Sequence, residues 1–327
     1  MLIPTKYRLT PQISQFLQQI EAAKEVIDSI NIPPEIEANI RRQSTLKSSL
    51  FSARIEGNTL NLEELTKEPS KSQKKLEVFN ILNALNWINS KKIGNFTIQD
   101  IFELHKMVME ELIEKNSLGK FRTEVGAIFN SAGIVVYLPP RPGQVLSLIE
   151  KLVDFINSKD EQFIPVKASL SHYTFEKIHP FLDGNGRVGR LLLQSILTRD
   201  GYGMKGIFPL EEYLDNHRGE YYSSLEANEK DVTPYIEFML EAMANTAILV
   251  KQQIMDKKET SPQDFLLPRR AEILNIIKDQ SMVNFDTLRR RFLLVNERTL
   301  RYDLKYLVDR NLIRKLGSTK GVYYGRS

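Results

Sequence analysis

The 327-residue chain has no cysteine, a single tryptophan and only four histidines. Without cysteine there is no disulfide, no thiolate metal ligand and no cysteine nucleophile, which fits a reducing cytoplasm. Long apolar runs are also missing. No stretch reaches the roughly eighteen apolar residues a membrane helix needs, and the opening MLIPTKYRLTPQ has no apolar leader segment. No membrane association is therefore expected. No Gly-x-x-x-x-Gly-Lys-[Ser/Thr] occurs, which removes a P-loop. What remains, 42% hydrophobic and 26% charged, is the composition of a soluble globular protein long enough for two domains or more.

The net charge of +4 is unevenly spread. Residues 262–327 hold 14 Lys+Arg against 7 Asp+Glu, a local +7, and the rest of the chain carries −3. The basic character sits in the last fifth of the sequence and points to a partner of opposite charge there.

Periodicity predicts a mainly α protein. Pro33-Pro34 opens a helical stretch with apolar residues at Ile36, Ile40, Leu46, Leu50 and Ile55, stopped by Gly57-Asn58. Further helical spacing runs over 74–89, 98–114, 143–157, 165–177, 187–199 and 235–255. VGAIFNSAGIVVYLPP has β-branched and aromatic residues on both sides of Asn130-Ser131-Ala132-Gly133 and reads as one β-hairpin. The polar stretch from Asp256 to Gln263 reads as a linker.

The densest chemistry lies in HPFLDGNGRVGR, residues 179–190. GNGRVG formally matches the dinucleotide fingerprint, but SLSHYTFEKIHP before it is helical where that fingerprint needs a strand. A loop emptying into a helix remains. Gly184 and Gly186 let backbone N–H groups turn inward as an anion nest, and the helix start adds its positive dipole end. Arg187 and Arg190 stand three apart in the first turns, where the dipole disfavours cations unless an anion completes the site. A polyphosphate meets that need, with arginine supplying bidentate donors. Asp183 is the local acid placed to hold the Mg²⁺ that accompanies polyphosphates, and His179 can take a proton from an attacking hydroxyl. Taken singly, each residue also fits a structural histidine or an ordinary turn. Four polar roles in one loop and helix start favour attack by a hydroxyl on a nucleotide phosphate.

This segment resembles the Fic motif, H-x-F-x-[DE]-G-N-G-R-x-x-R, at every fixed position: His179, Phe181, Asp183, Gly184, Asn185, Gly186, Arg187 and Arg190. The resemblance implies a helical fold that transfers AMP from ATP to a Ser, Thr or Tyr hydroxyl of a protein target. It implies His179 as general base, Asp183 as the Mg²⁺ ligand, Asn185 and the glycine amides on the phosphates, both arginines on the β and γ end, and Phe181 in the core. FRTEVGAIFNSAGIVVYLPP resembles the family's flap hairpin, whose edge can pair with an extended target segment. YYSSLEAN, with Tyr221, Tyr222 and Asn228, resembles a region that contacts adenine in some members. A homodimer is the family's frequent assembly.

SARIEGN, from Ser52 to Asn58, fits the family's inhibitory pattern [ST]-x-x-x-E-[GN]. Ser52 and Glu56 lie four apart on one helical face, and Glu56 falls at the end of its helix, where the dipole disfavours an anion unless a cation meets it. The resemblance implies that the cation is Arg190, whose capture displaces the γ-phosphate.

The tail reads as three helices and a β-wing, the order of a winged helix-turn-helix. Glu297-Arg298-Thr299 opens its third helix, with Arg301 and Lys305 on one face and Arg289 to Arg291, Lys315, Lys320 and Arg326 as phosphate contacts. The alternative is a protein-interaction module. The expected organisation is an N-terminal helical region with the inhibitory motif at 1–95, a catalytic core at 96–255, a linker at 256–264 and the tail at 265–327. The expected function is an autoinhibited protein adenylyltransferase. The alternatives are a DNA-binding regulator whose core senses nucleotide, against which the intact His179 argues, removal of AMP from a modified protein, and phosphorylation, against which the intact Gly184-Asn185-Gly186 argues. His105, His172 and His217 lack ligand-like spacing and receive no metal role.

Overall fold

The computed structural model describes residues 2–67, 72–91, 94–129, 135–258, 266, 268–292, 295–317 and 322–326. It divides into two compact units, Met1–Asn31 with Ile40–Ile254, and Ile32–Asn39 with Met255–Ser327. The stretch expected as a separate N-terminal region, 1–95, therefore falls mostly in the same unit as the expected core.

The first unit is helical. In chain order its elements are α1 (Pro11–Ser29), α2 (Pro34–Ile55), α3 (Leu62–Lys67), α4 (Gln73–Ser90), α5 (Ile98–Met109), β1 (Ile128–Phe129), β2 (Val135–Tyr137), α6 (Pro142–Asn157), α7 (Ile164–Ile178), α8 (Asn185–Arg199), α9 (Leu210–Asn216), α10 (Arg218–Leu225) and α11 (Thr233–Lys258). The start of α2, as given above, groups with the second unit. Helix α1, which periodicity alone did not single out, is started by Thr10, whose hydroxyl accepts from the Ile13 N–H, and by Pro11 at the first helical position. It buries Ile13, Ile20, Ala23 and Ile27 along one stripe.

Two helices form the centre. Almost every residue of α7 and α8 is buried, as expected of helices surrounded on all sides. They pack on each other, with α6 against α7 and both α4 and α5 against α8. The loop at 179–184 joins these two central helices, so its residues are fixed at both ends. Helix α5 starts with a capping box, Thr97 and Asp100. It stops at Met109, short of the expected Glu114, because Glu110 leaves helical geometry and Glu111 takes φ 58°.

Strands β1 and β2 pair antiparallel, Ile128 opposite Tyr137 and Phe129 opposite Val135, with a register irregularity between them. The expected turn, Asn130 to Gly133, lies outside the described residues. Lys177 of α7 sits 4.3 Å over the Tyr137 ring and docks β2 on the central helices.

The second unit runs α12 (Pro268–Gln280), β3 (Met282–Asn284), α13 (Phe285–Arg291), α14 (Glu297–Asp309), β4 (Ile313–Leu316) and β5 (Tyr323–Arg326). Its sheet has the order β3-β5-β4 and is antiparallel. Leu288, Leu300, Leu304, Leu307, Ile273 and Ile313 are among the residues of its core. Strand β3 was not expected from the sequence. Helix α11 continues to Lys258, so helix occupies the first residues of the expected linker; 259–264 and Lys320 lie outside the described residues.

Leu192, fully buried on α8, tests the claim that this helix forms the centre. Leu192→Ala is expected to cost about 2–5 kcal/mol in urea unfolding, the range for a buried leucine that leaves a cavity; a loss under about 1 kcal/mol would place it at a relaxed margin.

Candidate active site

The loop is built around a strained residue. Pro180 disfavours helix at the residue before it, and His179 ends α7 in the left-handed region, φ 47° and ψ 62°. For a non-glycine residue this costs about 1–3 kcal/mol. Arg122 holds the turn in place. Its Nε donates to the His179 carbonyl at 2.8 Å, Nη2 to the Pro140 carbonyl at 2.5 Å and the Ile178 carbonyl at 3.4 Å, and Nη1 to the Glu124 carbonyl at 2.9 Å. Its own N–H donates to the Pro180 carbonyl at 2.9 Å. One buried guanidinium thus ties the end of α7 to both approaches of the hairpin.

His179 has one ring nitrogen committed. Its Nδ1 lies 3.4 Å from the Glu176 carbonyl, and since a carbonyl only accepts, that contact requires the proton on Nδ1 and leaves Nε2 with its lone pair. Burial, with the positive charge of Arg122, holds the imidazole below its ordinary pKa, outweighing the Glu176 carbonyl, Glu56 and Asp183. A neutral imidazole at neutral pH can accept a proton.

Below the loop, Phe181 is fully buried. His105 stacks on it at 3.8 Å between centroids, and the rings of Phe121, Phe175 and Phe102 surround it. His105 Nδ1 accepts from the Gly119 N–H at 2.9 Å, so Nε2 carries the proton and donates to the Asp183 carbonyl at 3.2 Å. Asn185 closes the loop from the other side, accepting from the Phe181 N–H at 2.8 Å and donating to the Phe181 carbonyl at 2.9 Å. Its side-chain amide is therefore engaged in fixing the loop. Gly184 needs to be glycine: φ is 82°, and a Cβ there would lie 2.6 Å from Met109 Sδ.

Helix α8 starts at Asn185, and its first intrahelical bond runs from Val188 N–H to the Gly184 carbonyl. The N–H groups of Asn185, Gly186 and Arg187 precede it and face the loop side, an anion seat. A carboxylate already lies there. Glu56 Oε1 lies against Gly186, where a Cβ would clash with it, and it accepts from Arg190 Nη2 at 2.9 Å. Ser52 supplies two more acceptors, its hydroxyl to Arg190 Nε and its carbonyl to Nη2, both at 2.9 Å. Burial works most strongly against the Arg190 charge, but Glu56, Tyr221, Tyr222 and Glu176, with Glu56 the largest of them, together outweigh burial and raise the guanidinium pKa. Glu56 follows the last residue of α2, and Gly57, φ 101°, ends the helix.

Arg187 is not free to meet a ligand in this arrangement. Its Nη1 donates to Glu77 at 2.6 Å and its Nη2 to Asp183 Oδ1 at 2.9 Å, with the side chain 8% exposed. Asp183 Oδ1 also accepts from the Gly184 N–H at 2.5 Å, while the side chain stays 59% exposed. Glu77 in turn accepts from Asn58 Nδ2 at 2.8 Å. A chain of polar contacts runs from the segment after Glu56, through Asn58, Glu77 and Arg187, to Asp183.

The expected adenine contacts fare differently. Tyr221 requires correction as a ligand contact: it is fully buried, its hydroxyl bonded to His172 Nε2 at 2.8 Å, and it stacks on that ring. Tyr222 is 43% exposed and donates to the Ile55 carbonyl at 3.1 Å, beside Glu56. Asn228 is exposed, and its Oδ1 accepts from the Lys230 N–H in a turn. Among the described residues no group of three His, Cys, Asp or Glu could hold a metal by itself. Sequence reasoning missed Arg122, His105, Glu77 and Asn58 as builders of the site. Arg122 was visible only as part of the hairpin segment, and the partners of the others are 14 to 110 positions away.

A neutral histidine, an exposed carboxylate and a helix start lie on one clasped loop, and residues 95–197, which hold that loop, match the model of the Fic/DOC family. The chain is 28% identical over 259 residues to Protein adenylyltransferase Fic of Drosophila willistoni, covering 75% of this chain and 49% of that protein. To the Aedes aegypti protein of the same name it is 28% identical over 258 residues, covering 72% and 49%. The chain spans about half the length of these curated relatives. A Fic family protein from Desulfovibrio desulfuricans G20 shares the fold, with TM-score 0.69 and 24% identity over 98% of this chain and 97% of that one. Fic-1 from C. elegans superposes with TM-score 0.61 and 25% identity, covering 76% and 73%. No described helix is long and apolar enough to cross a membrane.

Burial holds His105 down to about 4, against an ordinary 6.5. Between those values the unfolded chain binds one proton more than the folded one, so His105 makes the fold lose stability as pH falls, by ~1.4 kcal/mol per pH unit. Unfolding free energies at pH 4.5 to 6.5 are expected to fall one proton less steeply for His105→Gln than for the native chain. Parallel slopes would show that His105 is not held neutral.

Proposed function

We propose that the chain is an autoinhibited protein adenylyltransferase that moves AMP from ATP to a Ser, Thr or Tyr hydroxyl of a protein target. The observation that carries this reading is the pairing of a base with an anion seat on one rigid loop. The target oxygen attacks the α-phosphorus and gives its proton to His179 Nε2. The bond from the α-phosphorus to the bridging oxygen breaks, and pyrophosphate leaves. The N–H groups at the start of α8 hold the phosphates, and Arg190 is the cation for the far end of the triphosphate. The names of the Drosophila and Aedes relatives support the same activity.

Asp183 fits Mg²⁺. Its Oδ1 is fixed by Gly184 and Arg187 while the group stays exposed, which suits a hard cation that takes one carboxylate and phosphate oxygens. When bound, the ion neutralises charge on the phosphates. Arg187 acts through Asp183 by orienting it. Tyr222 is the one expected adenine contact that keeps an exposed ring.

Glu56 is the brake. Its carboxylate lies where the seat would hold a phosphate and occupies the cation that the triphosphate needs, so the nucleotide and Glu56 compete. The hairpin's β2 edge, with Val135 and Val136 exposed, offers main-chain pairing to an extended target segment. The second unit reads as a winged helix-turn-helix, with α13 and α14 as the two helices of the motif and β4–β5 as the wing.

The test uses ATP labelled at the α or the γ phosphate, Mg²⁺, and a cell extract. Label from the α position is expected on protein, about tenfold stronger or more with Glu56→Gly, and reduced by about 10²–10⁴ with His179→Ala, the range for losing a general base. Label from γ alone, or none with Glu56→Gly while nucleotide still binds, contradicts the reading.

A further inference from the structure

The second unit carries a charge pattern that the transfer reaction does not use. Helix α14 has one face locked inward. Leu300, Leu304 and Leu307 are buried, and buried Asp303 accepts from Arg269 Nε at 2.5 Å and Arg270 Nε at 2.8 Å on α12. The opposite face is an exposed stripe, Arg298, Arg301, Tyr302 and Lys305. Arg298 and Lys305 are seven residues apart, about 10 Å along the helix.

The sheet adds to this stripe. Lys315 stands opposite Tyr324 in the β4–β5 ladder, so the two side chains leave the sheet on the same face. The Tyr324 hydroxyl feels the charge of Arg301. Arg301 also lies 4.0 Å over the ring of Phe285 at the start of α13. Lys315 and α14 therefore present their cations on one side. The acid within this surface is Glu297, shared by Arg289 and Arg301; Asp309 stands at the far end of the helix.

We infer that this face binds duplex DNA, with α14 in the major groove and β4 along the adjacent backbone. A groove about 12 Å wide admits one helix, and a helix whose inner face is fixed to a packed core can enter it without reordering. Phosphates supply the regular negative charge that three cations on one stripe match. The −3 balance of the rest of the chain disfavours nonspecific binding elsewhere.

The test measures fluorescence anisotropy of a labelled random-sequence 20-bp duplex with the full chain. Four phosphate contacts predict a slope of about −4 for log K against log salt, and Arg298→Ala/Arg301→Ala/Lys305→Ala is expected to make it shallower by about 3. The triple variant should also bind about 10–100-fold more weakly at 50 mM salt. It should keep the native circular dichroism, since all three side chains are exposed. Lys151→Ala/Lys159→Ala in the first unit is expected to leave duplex binding unchanged. No binding at 50 mM salt, an unchanged slope in the triple variant, or equal weakening by the first-unit pair overturns the inference. Tighter binding to polyglutamate than to duplex of equal charge also overturns it and makes the face one for acidic protein.

Discussion

A single carboxylate laid across the start of a central helix governs this molecule. Glu56 meets Arg190 at 2.9 Å and touches Gly186. It satisfies a buried guanidinium that would otherwise be costly, since an uncompensated buried charge costs several kcal/mol. It also sits where the helix N-terminus attracts anions. Both stabilise the same closed arrangement, and both draw on groups that a triphosphate would need. The proposed brake is thus held by the site's own affinity for negative charge. Gly186 is part of this device, because any side chain there would displace Glu56.

The rest of the site is organised around keeping a strained loop still. His179 is held in a left-handed conformation by the Arg122 bonds, Phe181 is clasped by Asn185 and covered by His105, and Asp183 is oriented by Arg187. Each bond is worth about 0.5–1.5 kcal/mol net, so several are needed to offset the backbone strain and leave a rigid base. The polar chain Asn58, Glu77, Arg187 and Asp183 couples the segment that follows Glu56 to the carboxylate proposed for Mg²⁺. The orientation of Asp183 and the position of the segment after Glu56 therefore share residues.

Much of this was legible in the sequence, for a definite reason. The motif residues are consecutive, so their joint chemistry could be read without a fold, and helical periodicity is strong in α5 and α6. Glu56 could be read because its pattern is local. What stayed hidden depends on distant pairs. Nothing near Arg122 announces that it braces His179, and nothing near Glu77 announces Arg187, 110 positions away. Tyr221 misled because its role rested on a resemblance of YYSSLEAN alone, while packing buries it against His172 of α7. Arg187 and Asn185 look like phosphate ligands in a linear reading, and tertiary contacts commit both to holding the loop.

The central claim is that Glu56 and a phosphate compete for one seat. Calorimetric titration with inorganic tripolyphosphate, which has no adenine or ribose to bind elsewhere, tests it most directly. Glu56→Gly is expected to bind about tenfold more tightly or better than the native chain, a difference of ~1.4 kcal/mol or more. Equal affinity in the two proteins, both folded, would mean that Glu56 does not occupy the phosphate seat.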